Sequence, residues 1–214
     1  MVTECGLRQR KKERTRRALI EAAIELFDRK GYDETTVAEI AAAAEVSTRT
    51  FFSYFRTKED ILFSDTETRV DIALAAIDAR GPADRPADVL QRAIRVIFES
   101  DAGTELSRMA PLRMRLVVGA PALQGHALHR LFTAQRRMAE HLRAAFPDEL
   151  DLVSAAAIVG SFVGALVGAA IVSVADMSTA ERLVTAQPEL LAERLGRAAE
   201  ISIRGIGGFG AGPG

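Results

Sequence analysis

TTVAEIAAAAEVSTRTFFSYFRTKEDIL, residues 35–62, contains three closely spaced signals for the start of a helix. Thr36 is followed three residues later by Glu39, the spacing of a capping box, and this predicts a short helix. Ser47 is expected to cap a second short helix and Thr57 a third. Two brief helices joined by a turn of about three residues are typical of a helix-turn-helix. This stretch therefore predicts an all-α domain that can place one helix in a groove of DNA.

The rest of the chain also carries helix signals. Ile20, Ala23, Ile24 and Phe27 share one helical face, which predicts a first helix over residues 10–29 that ends at a left-handed Gly31. The helix that begins after Thr57 is expected to continue to residue 80. Further helices are predicted near 86–101, 104–118, 121–146, 149–176, 179–186 and 188–204. We expect three parts: a helix-turn-helix domain at 1–60, a helical effector-binding and dimerisation domain at 61–206, and a flexible tail at 207–214.

The composition is that of a globular protein, with 48% hydrophobic and 27% charged residues in a chain of 214. The single cysteine, Cys5, excludes an intrachain disulfide and fits a cytoplasmic location. Residues 1–17 hold seven basic and two acidic side chains and no apolar segment, so no signal peptide is expected. Because the net charge of the whole chain is only −1, this basic end predicts a polyanionic partner.

Residues 35–62 resemble the DNA-binding signature of the TetR family of one-component transcriptional regulators. The preceding ALIEAAIELFDRKGYDETT fits as well, and the resemblance covers about residues 15–62. It implies a homodimer that binds palindromic double-stranded DNA. It also implies release from that operator by a small molecule bound in the C-terminal domain. No cofactor is expected, and repression is the expected mode of regulation.

A recognition helix needs small or polar side chains on its outward face. With Phe51 and Phe55 turned inward, the helix after Ser47 presents Thr48, Arg49 and Ser53 outward, and partly Thr50. The resemblance implies phosphate contacts for three further residues, Thr36, Tyr54 and Lys58. The predicted DNA-contacting set is Arg14, Arg17, Thr36, Ser47, Thr48, Arg49, Thr50, Phe52, Ser53, Tyr54 and Lys58.

Two residues depart from the family pattern. Phe52 stands where tyrosine is usual, so a hydroxyl-to-phosphate bond worth about 0.5–1.5 kcal/mol is lost. Glu45 stands at the turn position that is commonly glycine. If the turn keeps a left-handed residue there, the cost is roughly 1–2 kcal/mol; the alternative is a slightly different turn without that cost.

LVSAAAIVGSFVGALVGAAIVSVA, residues 152–175, has no charge and is long enough to cross a bilayer. Asp151 and Asp176 flank it, no lysine or arginine is adjacent to set an orientation, and alanine, glycine and serine dominate it. We therefore predict no membrane insertion. With the helix at 188–204, this run is instead expected to form a four-helix bundle between two subunits. The predicted interface residues lie on and beside a glycine stripe: Gly160, Val163, Gly164, Val167 and Gly168.

An effector pocket is expected within helices 104–176. Its candidate lining residues are Met109, Met114, Phe132, Gln135, Met138 and Phe162. His126, His129 and His141 share one predicted helix but lack a third ligand type, so no metal site is predicted. No catalytic motif is present, and the chain is not expected to be an enzyme. Two alternatives stay open: a DNA-binding protein without an effector, and an all-α enzyme.

Overall fold

A computed structural model of the chain describes residues 2–100, 109, 112–175 and 188–206. Within these ranges every regular element is helical, which confirms the predicted all-α fold. The helices are α1 (Val2–Lys30), α2 (Val37–Ala43), α3 (Thr48–Phe52), α4 (Glu59–Leu62), α5 (Thr66–Asp78), α6 (Pro86–Glu99), α7 (112–119), α8 (Pro121–Ala145), α9 (Leu152–Ala175) and α10 (Pro188–Ile206).

The N-terminal helices pack around one hydrophobic cluster, in which α1 contacts α2 and α4, and α2 contacts α3. Ile20 and Phe27 of α1 meet Ile40 of α2 and Phe51 of α3 there. The predicted first helix begins eight residues too late, because the basic segment is already helical from residue 2. Arginines and lysines are good helix formers, so a long solvated extension of α1 needs no apolar face.

The prediction of one helix from Thr57 to residue 80 is wrong. Helix α4 ends at Leu62 and α5 begins at Thr66, and the residue before α4 is Lys58, which makes no side-chain capping bond. The break arises because Phe63 and Asp65 both turn into the protein, at 5% and 8% exposure. A continuous helix does not place both of these side chains inward together with Ile61 and Leu62.

The C-terminal helices surround a second hydrophobic cluster. Helix α5 packs against α6 and α8, and α9 packs against α8 and α10. Phe162 and Ile158 of α9 contact this cluster, as expected for the inward face of that helix. The predicted helices near 86–101, 121–146, 149–176 and 188–204 are confirmed to within three residues at each end. Three predictions lie wholly or partly outside the described residues: the helix at 179–186, the tail at 207–214, and residues 104–108 of the helix predicted at 104–118.

The N-terminal cluster is built mainly from residues 19–63 and the C-terminal cluster from residues after 69, while the domain boundary at 60 stays a prediction. The N-terminal cluster nevertheless includes Met109, Ala120 and Leu123, which belong to the predicted larger domain. The N-terminal helices therefore share part of their core with Met109, α7 and the start of α8.

Candidate DNA-binding surface

The capping box that begins α2 is present as predicted. The Glu39 N–H donates to Thr36 Oγ1 at 3.3 Å, and the Thr36 N–H donates to Glu39 Oε2 at 2.9 Å. Lys30 Nζ also reaches Glu39 Oε1 at 2.5 Å. Hydrogen bonds from Lys30 and from Thr36 lower the pKa of Glu39 to about 2. The capping box therefore fixes the start of α2, and the Lys30–Glu39 ion pair holds that start against the end of α1.

The turn between α2 and α3 has the hydrogen bonds of a Schellman motif. The Val46 N–H donates to the Ala41 carbonyl at 2.9 Å, and the Glu45 N–H donates to the Ala42 carbonyl at 3.0 Å. Glu45 occupies the left-handed position with φ of 55°, so the turn keeps a left-handed residue and does not take the different form that the sequence left open. The turn therefore keeps its usual geometry although the residue there is not glycine.

Replacing Glu45 with glycine is expected to stabilise the protein by about 0.5–1 kcal/mol, because relief of the left-handed strain exceeds the entropic cost of glycine. Removing the negative charge beside α3 should also raise DNA affinity. Urea denaturation and DNA titration measure the two effects. Glu45→Gln removes the charge but keeps the strain, so it should raise affinity without raising stability. Equal stabilisation by both variants would contradict the assignment of strain to this residue.

Helix α3 presents a free outward face. Ser47 Oγ accepts from the Thr50 N–H at 3.0 Å and caps the helix, while Phe51 is completely buried. Thr48, Arg49, Phe52 and Ser53 are exposed, and Thr50 is half-buried. Arg49 forms no hydrogen bond or ion pair with any residue that the structure describes. Its guanidinium is therefore available to a base edge or a phosphate.

Lys58 is already engaged within the chain. Its ammonium donates to the Tyr32 and Thr35 carbonyls at 2.7 and 2.9 Å and lies 4.2 Å from the centre of the Tyr32 ring. These bonds tie the start of α4 to the loop after α1. If Lys58 contacts a phosphate as predicted, its ammonium must therefore divide its hydrogen bonds between these carbonyls and the phosphate oxygen. Tyr54, which is also predicted to contact phosphate, is half-buried against the N-terminal cluster.

The basic end of α1 divides into two faces. Arg14 and Arg17 are exposed, and Arg17 meets only Glu13 of its own helix, at 3.4 Å. Arg16 instead turns inward, donates to the Ser64 carbonyl at 2.8 Å and lies 5.8 Å from the Phe55 ring. Sequence reasoning missed this inward role of Arg16, because the charge run alone does not show which arginine meets the break after α4.

The glycine stripe of α9 faces away from the subunit's own core. A Cβ built on Gly160, Gly164 or Gly168 meets no atom within 4 Å. Val163 and Val167 are half-buried beside it. In the part of the chain that the structure describes, residues 152–173 form one helix that is long and apolar enough to span a bilayer, and only 17% of its most apolar stretch is buried. A single helix of this kind also occurs in the cores of soluble proteins, but here the glycine face has no partner among the residues that the structure describes.

The six candidate pocket residues do not come together. Met109 lies in the N-terminal cluster, whereas Met138 and Phe162 lie in the C-terminal one. Met114 and Gln135 are half-buried. Phe132 is 63% exposed, so its placement as an interior lining residue does not fit the single chain. The described residues also contain no group of three metal-ligating side chains.

Comparison with known proteins places this geometry among regulators. Residues 19–64 match the sequence profile of bacterial regulatory proteins of the tetR family. The transcriptional regulator TcmR of Streptomyces glaucescens is 36% identical over 150 residues, which cover 68% of this chain and 66% of that protein. The chain spans about two thirds or less of the length of the curated relatives that it matches. These relatives are named as transcriptional regulators, in agreement with the prediction that the chain is not an enzyme.

Two solved structures share the fold at low sequence identity. A TetR-family regulator from Mesorhizobium loti aligns with a TM-score of 0.55 and 20% identity, over 92% of this chain and 97% of its own. The repressor FadR of Thermus thermophilus, solved in complex with lauroyl-CoA, aligns with a TM-score of 0.51 and 20% identity, over 89% and 94% of the two chains. This likeness extends the match from the helix-turn-helix to the helical arrangement of nearly the whole chain.

Proposed function

Because this chain belongs to the TetR family of bacterial regulatory proteins, we propose that it is a sequence-specific DNA-binding transcriptional regulator. It acts in the cytoplasm as a homodimeric repressor on a palindromic operator, and a small-molecule effector releases it. The observation that carries the proposal is the outward face of α3, where Thr48, Arg49 and Ser53 are exposed while Phe51 anchors the helix from behind.

Dimerisation follows from the size of one recognition helix. A short helix such as α3 reads only a few base pairs, so two copies on symmetric half-sites are needed for a specific operator. The uncovered glycine stripe of α9 supports this pairing, since a second helix can approach it closely. The exposed apolar Ile171 and Val172 at the end of the same helix, at 44% and 59% exposure, would also be covered by a partner.

An effector site in the C-terminal helices is the further part of the proposal. FadR of Thermus thermophilus, which shares this fold, binds lauroyl-CoA. That supports a ligand site in a helical arrangement of this kind, without naming the ligand of this chain. Binding would change the separation of the two recognition helices and thereby lower operator affinity.

The proposed function is tested by selecting DNA that binds the purified protein and footprinting the selected site. A palindromic protected site is expected. Arg49→Ala should then weaken binding roughly 10- to 100-fold and relax sequence preference. Arg143→Ala is the matched control, because Arg143 is exposed on α8, far along the chain from α3. Failure to select any common sequence would contradict the proposal.

The basic end of α1 is expected to add affinity that does not depend on sequence. Arg14→Gln combined with Arg17→Gln removes two cations, so the slope of log affinity against log salt should flatten by about 1.8. Operator preference should stay unchanged, since phosphate contacts carry no sequence information. Arg136→Gln with Arg143→Gln is the control, because Arg136 pairs with Glu140 at i,i+4 as Arg17 does with Glu13. Equal slopes for all three proteins would show that Arg14 and Arg17 do not contact DNA.

A further inference from the structure

Two arginines share one buried carboxylate at the break between α4 and α5. Asp65 Oδ2 accepts from Arg69 Nη1 at 2.6 Å, and Asp65 Oδ1 accepts from Arg113 Nη2 at 2.8 Å. Asp65 and Arg113 are only 8% and 9% exposed. The three groups therefore form a cluster inside the protein, with Arg113 reaching it from α7.

Among the residues that the structure describes, the cluster holds one more positive charge than negative charge. The nearby carboxylate of Asp60 is already paired with Arg130, at 2.6 Å. Arg16 donates to the carbonyl of Ser64, the residue before Asp65, at 2.8 Å, so it brings a further cation and not a carboxylate. Burial, and then the charge of Arg113, lower the pKa of Arg69 to about 10. Asp65 alone thus offsets two guanidinium groups, and an excess positive charge in a buried site is unfavourable unless a counter-ion compensates it.

Arg113 also has a donor without an acceptor. Its Nε is buried and has no hydrogen-bond partner among the residues that the structure describes, while its guanidinium lies 5.8 Å from the centre of the Phe63 ring. A buried donor left unpaired costs free energy, so native proteins rarely keep one without a reason. The unpaired N–H therefore belongs to one of the two arginines that share the single carboxylate of Asp65.

We infer that the Asp65–Arg69–Arg113 cluster binds an anionic group, and that the ligand is a small organic monocarboxylate. One carboxylate supplies the single missing negative charge and an oxygen that accepts from Arg113 Nε. A phosphate dianion would leave the cluster with excess negative charge. Phe63, whose ring centre lies 5.8 Å from the Arg113 guanidinium, belongs to the apolar N-terminal cluster and would contact an organic tail.

The location gives the ligand a regulatory consequence, which rests on the proposed function. Asp65 lies at the start of α5, directly after the helices that carry the DNA-binding surface, and Arg113 lies on α7. A carboxylate bound at Arg113 Nε, beside the Asp65 bond to Nη2, adds a charged contact where these two parts meet. The anion site therefore lies where binding can alter the placement of α4 and the helix-turn-helix.

The test titrates the full-length protein with sodium butyrate at constant ionic strength, without DNA, by calorimetry and by thermal denaturation. Butyramide, which has the same shape and no charge, is the matched ligand. We expect saturable binding and a raised melting temperature with butyrate only. Equal effects of butyrate and butyramide, or no binding of either, would overturn the inference. Because DNA is absent, the result does not depend on whether the chain recognises an operator.

Arg113→Lys keeps the positive charge but removes the guanidinium Nε, so butyrate affinity should fall roughly tenfold or more. Arg137→Lys is the control. Arg137 pairs with two carboxylates, Glu67 and Asp71, each at 3.0 Å, so its surroundings carry no surplus positive charge. Undiminished butyrate binding by a folded Arg113→Lys protein would overturn the assignment to this cluster. If that variant does not fold, the comparison of butyrate with butyramide on the unaltered protein still decides the question.

Discussion

Gly164→Leu is expected to convert the proposed dimer into a monomer and to lower operator affinity by roughly 10³-fold, toward the level of non-specific binding. The residue is far along the chain from α3, so the effect would act entirely through pairing. A Cβ at this position meets nothing within 4 Å in the single chain, and a leucine there therefore does not disturb the subunit's own core. It does prevent the close approach of a second helix. Sedimentation and operator titration measure the two losses.

Gly125→Leu provides the matched control for this prediction. Gly125 lies inside α8, and a Cβ built on it likewise meets nothing within 4 Å. Both substitutions raise helix propensity by roughly 0.8–1 kcal/mol, so neither is expected to unfold the subunit. The control should stay dimeric and bind the operator normally. A Gly164→Leu protein that remains dimeric would show that subunits pair through another surface. The unaltered protein should also be soluble without detergent, which distinguishes pairing from membrane insertion.

Local signals in the sequence were sufficient for the helix-turn-helix. The capping bonds of Thr36 and Ser47 join residues only three apart. Short-range hydrogen bonds of this kind depend on neighbouring residues alone. They can therefore be predicted without knowledge of the tertiary structure.

Contacts between distant residues could not be predicted in the same way. The break before α5 depends on Asp65 meeting Arg113, which lies 48 residues further along the chain. The engagement of Lys58 depends on the carbonyl of Tyr32, 26 residues earlier. Periodicity also places Phe132 on a helix without saying whether that helical face is covered. These features are decided by packing, which overrides the local pattern.

Adjacent phenylalanines in α3 allow stability and DNA binding to be separated. Phe51 is completely buried, with its ring centre 5.9 Å from that of Phe55, whereas Phe52 is 57% exposed. Phe51→Ala is expected to cost about 3–5 kcal/mol, because it removes a large buried side chain and leaves a cavity. A loss of this size is comparable with the whole stability of many domains. The N-terminal helices of this variant should therefore unfold, and operator binding should be lost with them.

Phe52→Ala should change the free energy of unfolding by no more than about 0.5 kcal/mol, because the side chain is mainly in solvent. Phe52 is in the predicted DNA-contacting set, where its ring can pack against a sugar or a thymine methyl, so this variant should still bind operator DNA more weakly. Denaturant unfolding followed by circular dichroism and operator titration separate the two outcomes. Equal destabilisation by the two substitutions would contradict the orientation of α3. Unchanged operator affinity of Phe52→Ala would instead remove Phe52 from the DNA-contacting face, and Thr48, Arg49 and Ser53 would then have to carry recognition without it.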